Sequence, residues 1–482
     1  MAEATQNATI EDLQRDPARW WGMGEVVRLS IPAVLSTVSF SIMQFVDRLM
    51  VSMVNPESLS AQAVAGLWSF VPLSLFMGVL GCVSTFASQN LGAGQKERAA
   101  LYGWQGLWLS WIAAAGLALL ILPARWLFTL FPHEEAVINL ETAYFRILIA
   151  GSVFALSSNA ITNFFLGIHK PVYPLISGVA GNVVNFVVAY VLIFGKLGMP
   201  QLGLKGAGIA SVVGSAVQML VLFGVFGMGK YAREYQVWRQ WRLSGQAMLE
   251  LLKIGIPAGA MFLGDILMWA LFMAYIIGGF GLVDLTAGGI LFSYWQFCFM
   301  PALGVGFAAA AIVGRCCGAR QTWLAWRRAH AALILVEVYM VSAGVFMWVF
   351  RDGLVRLFNE HHDPAIQAAA TKVFIFMLIC QAFDALNVIF IGALRGAGDT
   401  LWPGIMQLAL AYVLGIGGSA LVAWMWPEWG TLGPWSVATA YIMLLGLVMW
   451  VRFLRGKWKS MTVVKEPAML VVTDEAGLLP PP

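Results

Sequence analysis

The chain has 482 residues, 60% of them hydrophobic and only 11% charged, with a mean hydropathy of +0.77. A soluble protein carries about 25% charged residues, so composition excludes a soluble domain, and the net charge of +4 is no nucleic-acid signal. The apolar runs are too long for barrel strands and lack their period-2 alternation, which leaves an all-α integral membrane protein.

Residues 1–27 form a polar segment, expected to be cytoplasmic. No short apolar core follows a basic start, so it does not read as a cleavable signal peptide. Twelve spans are predicted, over about 29–53, 62–89, 101–123, 139–167, 172–194, 205–228, 250–278, 286–314, 327–350, 369–394, 402–426 and 433–454. The five cysteines, Cys82, Cys298, Cys316, Cys317 and Cys380, lie in or beside apolar segments and imply no disulfide framework. With both termini inside, 21 of the 29 basic residues fall on the cytoplasmic side, Arg395 among them, and five on the other. That bias predicts a multi-pass membrane protein with both termini cytoplasmic and an even number of spans.

The chain repeats itself. Ile31-Pro32 opens span one and Ile256-Pro257 opens span seven, 225 residues on. Gly92 and Gly318 close spans two and eight at an offset of 226, and Gly167 and Gly396 mark spans four and ten at 229. Six spans is an even number, so the copies enter the membrane in the same sense, as parallel repeats about a pseudo-twofold axis. The expected organisation is two six-helix lobes, 28–228 and 250–455. A basic, aromatic linker over 229–249 lies on the membrane surface between them, and a tail follows over 456–482. The end of that tail, from Lys465, reads as disordered.

Carboxylates inside apolar spans are expensive and point to function. Asp384 lies eleven residues before Arg395, about 16 Å along a helix and near the midplane if Arg395 marks the surface. Asp265 lies twelve residues after Lys253, about 18 Å in, so the two carboxylates could share one cavity. Two carboxylates that close cannot both ionise cheaply, and such a pair should bind a proton or a small cation. Asp47 in span one repeats the Gln-x-x-Asp spacing: Gln44 precedes Asp47 as Gln381 precedes Asp384, each on the same helix face. Asn185 is the most central amide of the first half. Trp295 and Phe299 sit in an aromatic stretch of span eight that could face organic cations. Glu337 is a further deep carboxylate without a surrounding motif. Glu141 and Arg146 read as a local structural pair or as solvated groups, and His361-His362 with Glu360 and Asp363 as a polar outer loop.

Taken in order, FVDRLMVS (46–53), TFASQNLGAG (85–94), FGKLGMPQLGLKGAGIAS (194–211), IPAGAMFLGDIL (256–267) and QAFDALNVIFIGALRGAGDT (381–400) resemble the multidrug and toxic compound extrusion (MATE) family, closest to its NorM-like branch. The resemblance covers about 20–455. It implies a secondary active antiporter that exports amphipathic organic cations against inflow of Na⁺ or H⁺. It also implies cation coupling at Asp47, Asn185, Asp265 and Asp384. Sodium, if it is the coupling ion, would sit at Asp265 and Asp384. Substrate would meet Gln44, Asp47, Trp295, Phe299, Gln381 and Asp384. The chain departs from the branch at Asp265 (usually Glu), Cys380 (often Tyr) and Ala189 (Asn), which leaves both ions open. The expected partners are cationic drugs, the coupling cation and the bilayer, with no nucleic acid and no cofactor, for a monomer. No GxxxxGK[ST] loop is present, so ATP is not the direct energy source. A membrane enzyme would need histidines or a nucleophile–base pair at depth, and the five histidines fall at span ends or in loops. A lipid-linked oligosaccharide flippase, the alternative, would want basic groups in its cavity.

Overall fold

The computed structural model describes residues 22–131, 133–358 and 363–464. Most of the 1–27 segment, residues 360–362 of the outer loop and the tail from Lys465 lie outside them. Among the described residues eleven helices are long and apolar enough to cross a membrane, and one bent pair, taken as one span, makes a twelfth. They are α1 (Met23–Ser52), α2 (Glu57–Gly92), α3 (Lys96–Ile121), α4 (Glu135–Ala150 and Ser152–Gly167, bent by 45°), α5 (Val172–Phe194) and α6 (Leu204–Gly227). The second half holds α7 (Gly245–Phe280), α8 (Leu282–Gly318), α9 (Thr322–Val349), α10 (Pro364–Ala397), α11 (Leu401–Met425) and α12 (Leu432–Leu454).

Several helices start before their apolar runs do, because polar residues cap and extend them. Ser244 accepts from the Ala247 N–H at 3.4 Å ahead of α7, and Asp363 accepts from the Ala365 N–H at 2.8 Å ahead of α10. Two helices of the second half widen into π-turns, over Phe272–Ile277 in α7 and Leu410–Gly418 in α11. Such turns often sit at functional sites.

The repeat is visible as paired backbone contacts. Gly92 abuts the Arg315 carbonyl and Gly318 abuts the Gln89 carbonyl, so closely that a Cβ on either would overlap the oxygen. Gly78 would place a Cβ 2.6 Å from the Gly259 Cα, where α2 crosses α7. Its repeat mate Gly304 would place one 2.7 Å from the Val34 Cα, where α8 crosses α1. Within the halves, Gly167 meets the Ser84 backbone as Gly396 meets the Ala310 backbone. Each match follows the 225–229 offset. Bare glycine lets these backbones approach without the hydrophobic drive that water supplies.

Two apolar cores result, and they exchange their first helices. Val26 and Leu29 at the start of α1 pack into the core of the second half, whereas Met50 and Val51 at its end pack into the first. Conversely, Ala247, Leu251 and Ala258 of α7 belong to the first core, while Met268 and Phe272 belong to the second.

Hydrogen bonds between the halves gather at the end that carries the start of α1 and the end of α12, here the terminal end. There Thr85 Oγ1 donates to the Arg395 carbonyl (2.9 Å), Gln89 Nε2 to the Gly396 carbonyl (2.9 Å), and the Val463 N–H to Gln89 Oε1 (2.9 Å). Arg395 does lie at this end, but it is not a solvated marker. Its guanidinium points into the seam, 5.5 Å from the Phe307 ring, because the facing Gly81 leaves room for it. The segment between the halves packs on α3: the indole N–H groups of Trp104 and Trp108 donate to the carbonyls of Val237 and Trp241, both at 2.8 Å. Trp238 and Trp241 keep exposed faces.

Candidate transport site

The second half assembles its polar groups from four helices. Asp384 of α10 is buried, and its Oδ2 accepts the indole N–H of Trp295 from α8 at 3.1 Å. Asn387, one turn on, reaches its Oδ1 at 3.5 Å. Asp265 of α7 is half-buried and lies within electrostatic reach of Asp384; its Oδ1 faces Gln407 Nε2 of α11 at 3.5 Å. Tyr412, in the π-turn of α11, donates to the Gly264 carbonyl at 3.2 Å and ties that turn to the residue before Asp265.

Several oxygens there lack a hydrogen-bond partner among the described residues: Gln407 Oε1, Asn387 Oδ1 and the buried Tyr441 hydroxyl, which lies within electrostatic reach of both carboxylates. Hard cations take such oxygens as ligands. No group of three or more His, Cys, Asp or Glu suited to a metal occurs among the described residues, so a bound Na⁺ would rely on mixed carboxylate, amide and hydroxyl donors.

An aromatic wall stands beside the carboxylates. Trp269 meets Trp295 edge-on at 4.5 Å between ring centroids. With Trp435, Phe376, Cys380 and Thr439 they line a cavity of about 10 Å³, room for about one water molecule. Phe299, one turn beyond Trp295, does not line it but packs against the core. Gln381 is buried, and neither end of its amide has a partner among the described residues.

The first half is simpler. Asp47 of α1 is buried, and Asn185 Nδ2 of α5 faces its Oδ2 at 3.4 Å. Asp47 Oδ1 and Asn185 Oδ1 have no partner among the described residues. Gln44 does not join them: it is exposed, although it shares the helix face of Asp47. Glu141 pairs not with Arg146 but with His133, whose Nδ1 is 2.9 Å from Oε1. Arg146 Nε donates instead to the Ile121 carbonyl at 3.3 Å. Glu337 Oε2 is buried without a partner among the described residues.

Sequence reasoning missed Gln407, Asn387, Tyr412, Tyr441, Trp269 and Trp435. Only Asn387 carried a local signal, three residues after Asp384. The others come from helices whose register against α10 is a tertiary fact.

Twelve apolar helices among the described residues, counting the bent pair as one, form two repeated lobes and define a polytopic membrane protein, and the family that matches it makes it a transporter and not an enzyme. The MatE family model matches residues 32–191 and 260–421, and the chain belongs to that family. It is 26% identical over 440 residues to a "Probable multidrug resistance protein NorM" of Synechococcus sp., covering 89% of this chain and 93% of the relative. Its fold matches that of a eukaryotic MATE transporter (TM-score 0.80, 20% identity, covering 90% of this chain and 96% of the other). It also matches an outward-facing multidrug resistance MATE transporter of the MOP superfamily (TM-score 0.84, 18% identity, covering 91% and 97%).

Proposed function

We propose that this chain is a secondary active antiporter that exports amphipathic organic cations in exchange for Na⁺ or H⁺, by alternating access between the lobes 28–228 and 250–455. The observation that carries this reading is a buried carboxylate, Asp384, held by Trp295 of an aromatic wall, with a second carboxylate, Asp265, within its electrostatic reach. A charge in an apolar wall binds cations while demanding little shape, which suits broad specificity. The names of the NorM relatives support the same reading.

In this reading the protein is a monomer in the bacterial inner membrane, with the terminal end and both termini in the cytoplasm. Asp265 and Asp384 hold the coupling cation, with Asp47 and Asn185 as a second polar site in the first lobe. The drug meets Trp295, Gln381 and Asp384. An external cation neutralises the carboxylates, weakens drug binding and favours return. Each ligand moves the equilibrium only by its differential affinity for the two states. Acidic rather than basic groups at depth favour a cation over the pyrophosphate of a lipid-linked precursor.

The test is dye retention in cells that lack their own efflux pumps. Cells expressing the protein should accumulate less ethidium, and Asp384→Asn should abolish the difference at equal expression. Equal accumulation with and without the wild-type protein would contradict the proposal.

A further inference from the structure

We propose that Glu25 and Glu250 are the paired latches of the gate at the terminal end, each holding the first helix of one lobe onto the other lobe. Glu25, on the first turn of α1, accepts from Arg315 of α8 at 2.7 Å and from Arg328 of α9 at 2.8 Å. Glu250, near the start of α7, accepts from the Tyr102 hydroxyl of α3 at 2.5 Å.

The two contacts are repeat mates. Glu250 follows Glu25 by the 225 residues that separate Pro32 from Pro257, and Arg328 follows Tyr102 by the 226 that separate Gly92 from Gly318. The pseudo-twofold that organises the scaffold therefore also relates Glu25–Arg328 to Glu250–Tyr102. Both glutamates sit on the exchanged stretches, where α1 enters the second core and α7 enters the first.

The chemistry of the two latches differs. Glu25, Arg315 and Arg328 are nearly out of solvent, with side-chain exposures of 7%, 14% and 3%. One carboxylate shared by two guanidiniums is a strong, geometrically demanding contact. The contact from the Tyr102 phenol to the Glu250 carboxylate is also charge-assisted. Both must part if the lobes are to separate at this end, because each joins a side chain of one lobe to a side chain of the other. Their role is to position the lobes; they contact neither drug nor cation in this account.

The inference rests on the alternating-access reading, and its test uses neither drug nor coupling ion, so the two can fail separately. Spin labels at Glu97→Cys and Trp323→Cys, exposed repeat mates at the starts of α3 and α9, report the separation of the lobes in full-length protein in lipid nanodiscs. Wild type should give a short, narrow distance distribution. Tyr102→Phe, which keeps the ring and removes one donor, and Glu25→Gln should each raise the population at longer distances by about tenfold, the scale of losing one charge-assisted hydrogen bond. The exchange Glu25→Arg with Arg328→Glu should restore part of the short component. If Tyr102→Phe and Glu25→Gln leave the distribution at its wild-type form in monodisperse protein, the latches are structural contacts only and the inference is wrong. A distribution that broadens equally at a label pair inside one lobe would also overturn it, since that reports loss of fold rather than opening.

Discussion

The indole N–H of Trp295 points at Asp384 Oδ2 across 3.1 Å, joining α8 to α10 in the middle of the second lobe. One side chain thus serves two purposes. Its N–H occupies a lone pair of the carboxylate, and its ring continues the aromatic wall through Trp269. A cation arriving at Asp384 competes with that N–H for the same oxygen. Trp295→Phe keeps most of the wall and removes the donor. A hydrogen bond to a charged group is worth about 1.5–3 kcal/mol, so the variant should bind the coupling cation about tenfold more tightly and release it more slowly. Half-saturating cation concentration and maximal rate of dye efflux, measured together, check this: both should fall. A rise in the half-saturating concentration would show that the indole assists cation binding.

Gly92 and Gly318 face opposite carbonyls across the pseudo-twofold, with no room for a methyl group. Gly92→Ala or Gly318→Ala should push the terminal end apart and cost about 1–3 kcal/mol, the usual penalty of overpacking. Gly116, with open space around it, is the control, and its alanine variant should match wild type. Thermal unfolding in detergent reads the cost, and labelling of Cys82, buried beside the seam near the Ile254 carbonyl, reads the opening.

His169 sits in the turn between α4 and α5, with Nε2 3.0 Å from the Ala311 carbonyl of the other lobe. Burial, and then the positive charges of Arg315, Lys170 and Arg28, hold its imidazole well below the ordinary range. The closed terminal end thus keeps His169 neutral, with Nε2–H donating. Opening would expose the ring and return it toward about 6.5. As pH falls below that value the open form takes up the proton first, and the closed form loses relative stability until its own depressed value is reached. Acidifying the terminal side from pH 7.5 to 5.5, values chosen to bracket the ordinary imidazole range, should therefore widen the 97–323 label distance, and His169→Gln should remove that response. A pH response unchanged in the variant would assign it to another group.

The scaffold was more legible than the site. Glycine and proline mark the places where backbones cross, so the repeat could be counted in the sequence and reappears as paired contacts at Gly92 and Gly318. The polar residues of the candidate transport site do not follow the repeat. The mate of Gln44 is Trp269, and the mate of Asp384 is Ala155. The lobes share a frame but not a chemistry, so the frame could not locate the site. Asp384 was readable because a carboxylate in an apolar run is costly wherever it points. Gln44 shares a helix face with Asp47 but is exposed, because spacing gives a helix face and not what covers it. Arg395 misled because a charge at a helix end reads as solvated surface, yet it fills space beside Gly81. Glu141 was assigned the nearest cation along its own helix, whereas the chain folds His133 onto it from the preceding turn.

The most direct measurement uses the purified protein in liposomes loaded with ethidium, with a sodium gradient and a pH gradient imposed separately, for wild type and for Asp384→Asn. The account predicts that one gradient drives dye movement in wild type, which names the coupling ion, and that the variant carries none at equal insertion. Wild-type protein that is folded, inserted and indifferent to both gradients would contradict it, as would an Asp384→Asn variant that still couples dye to either.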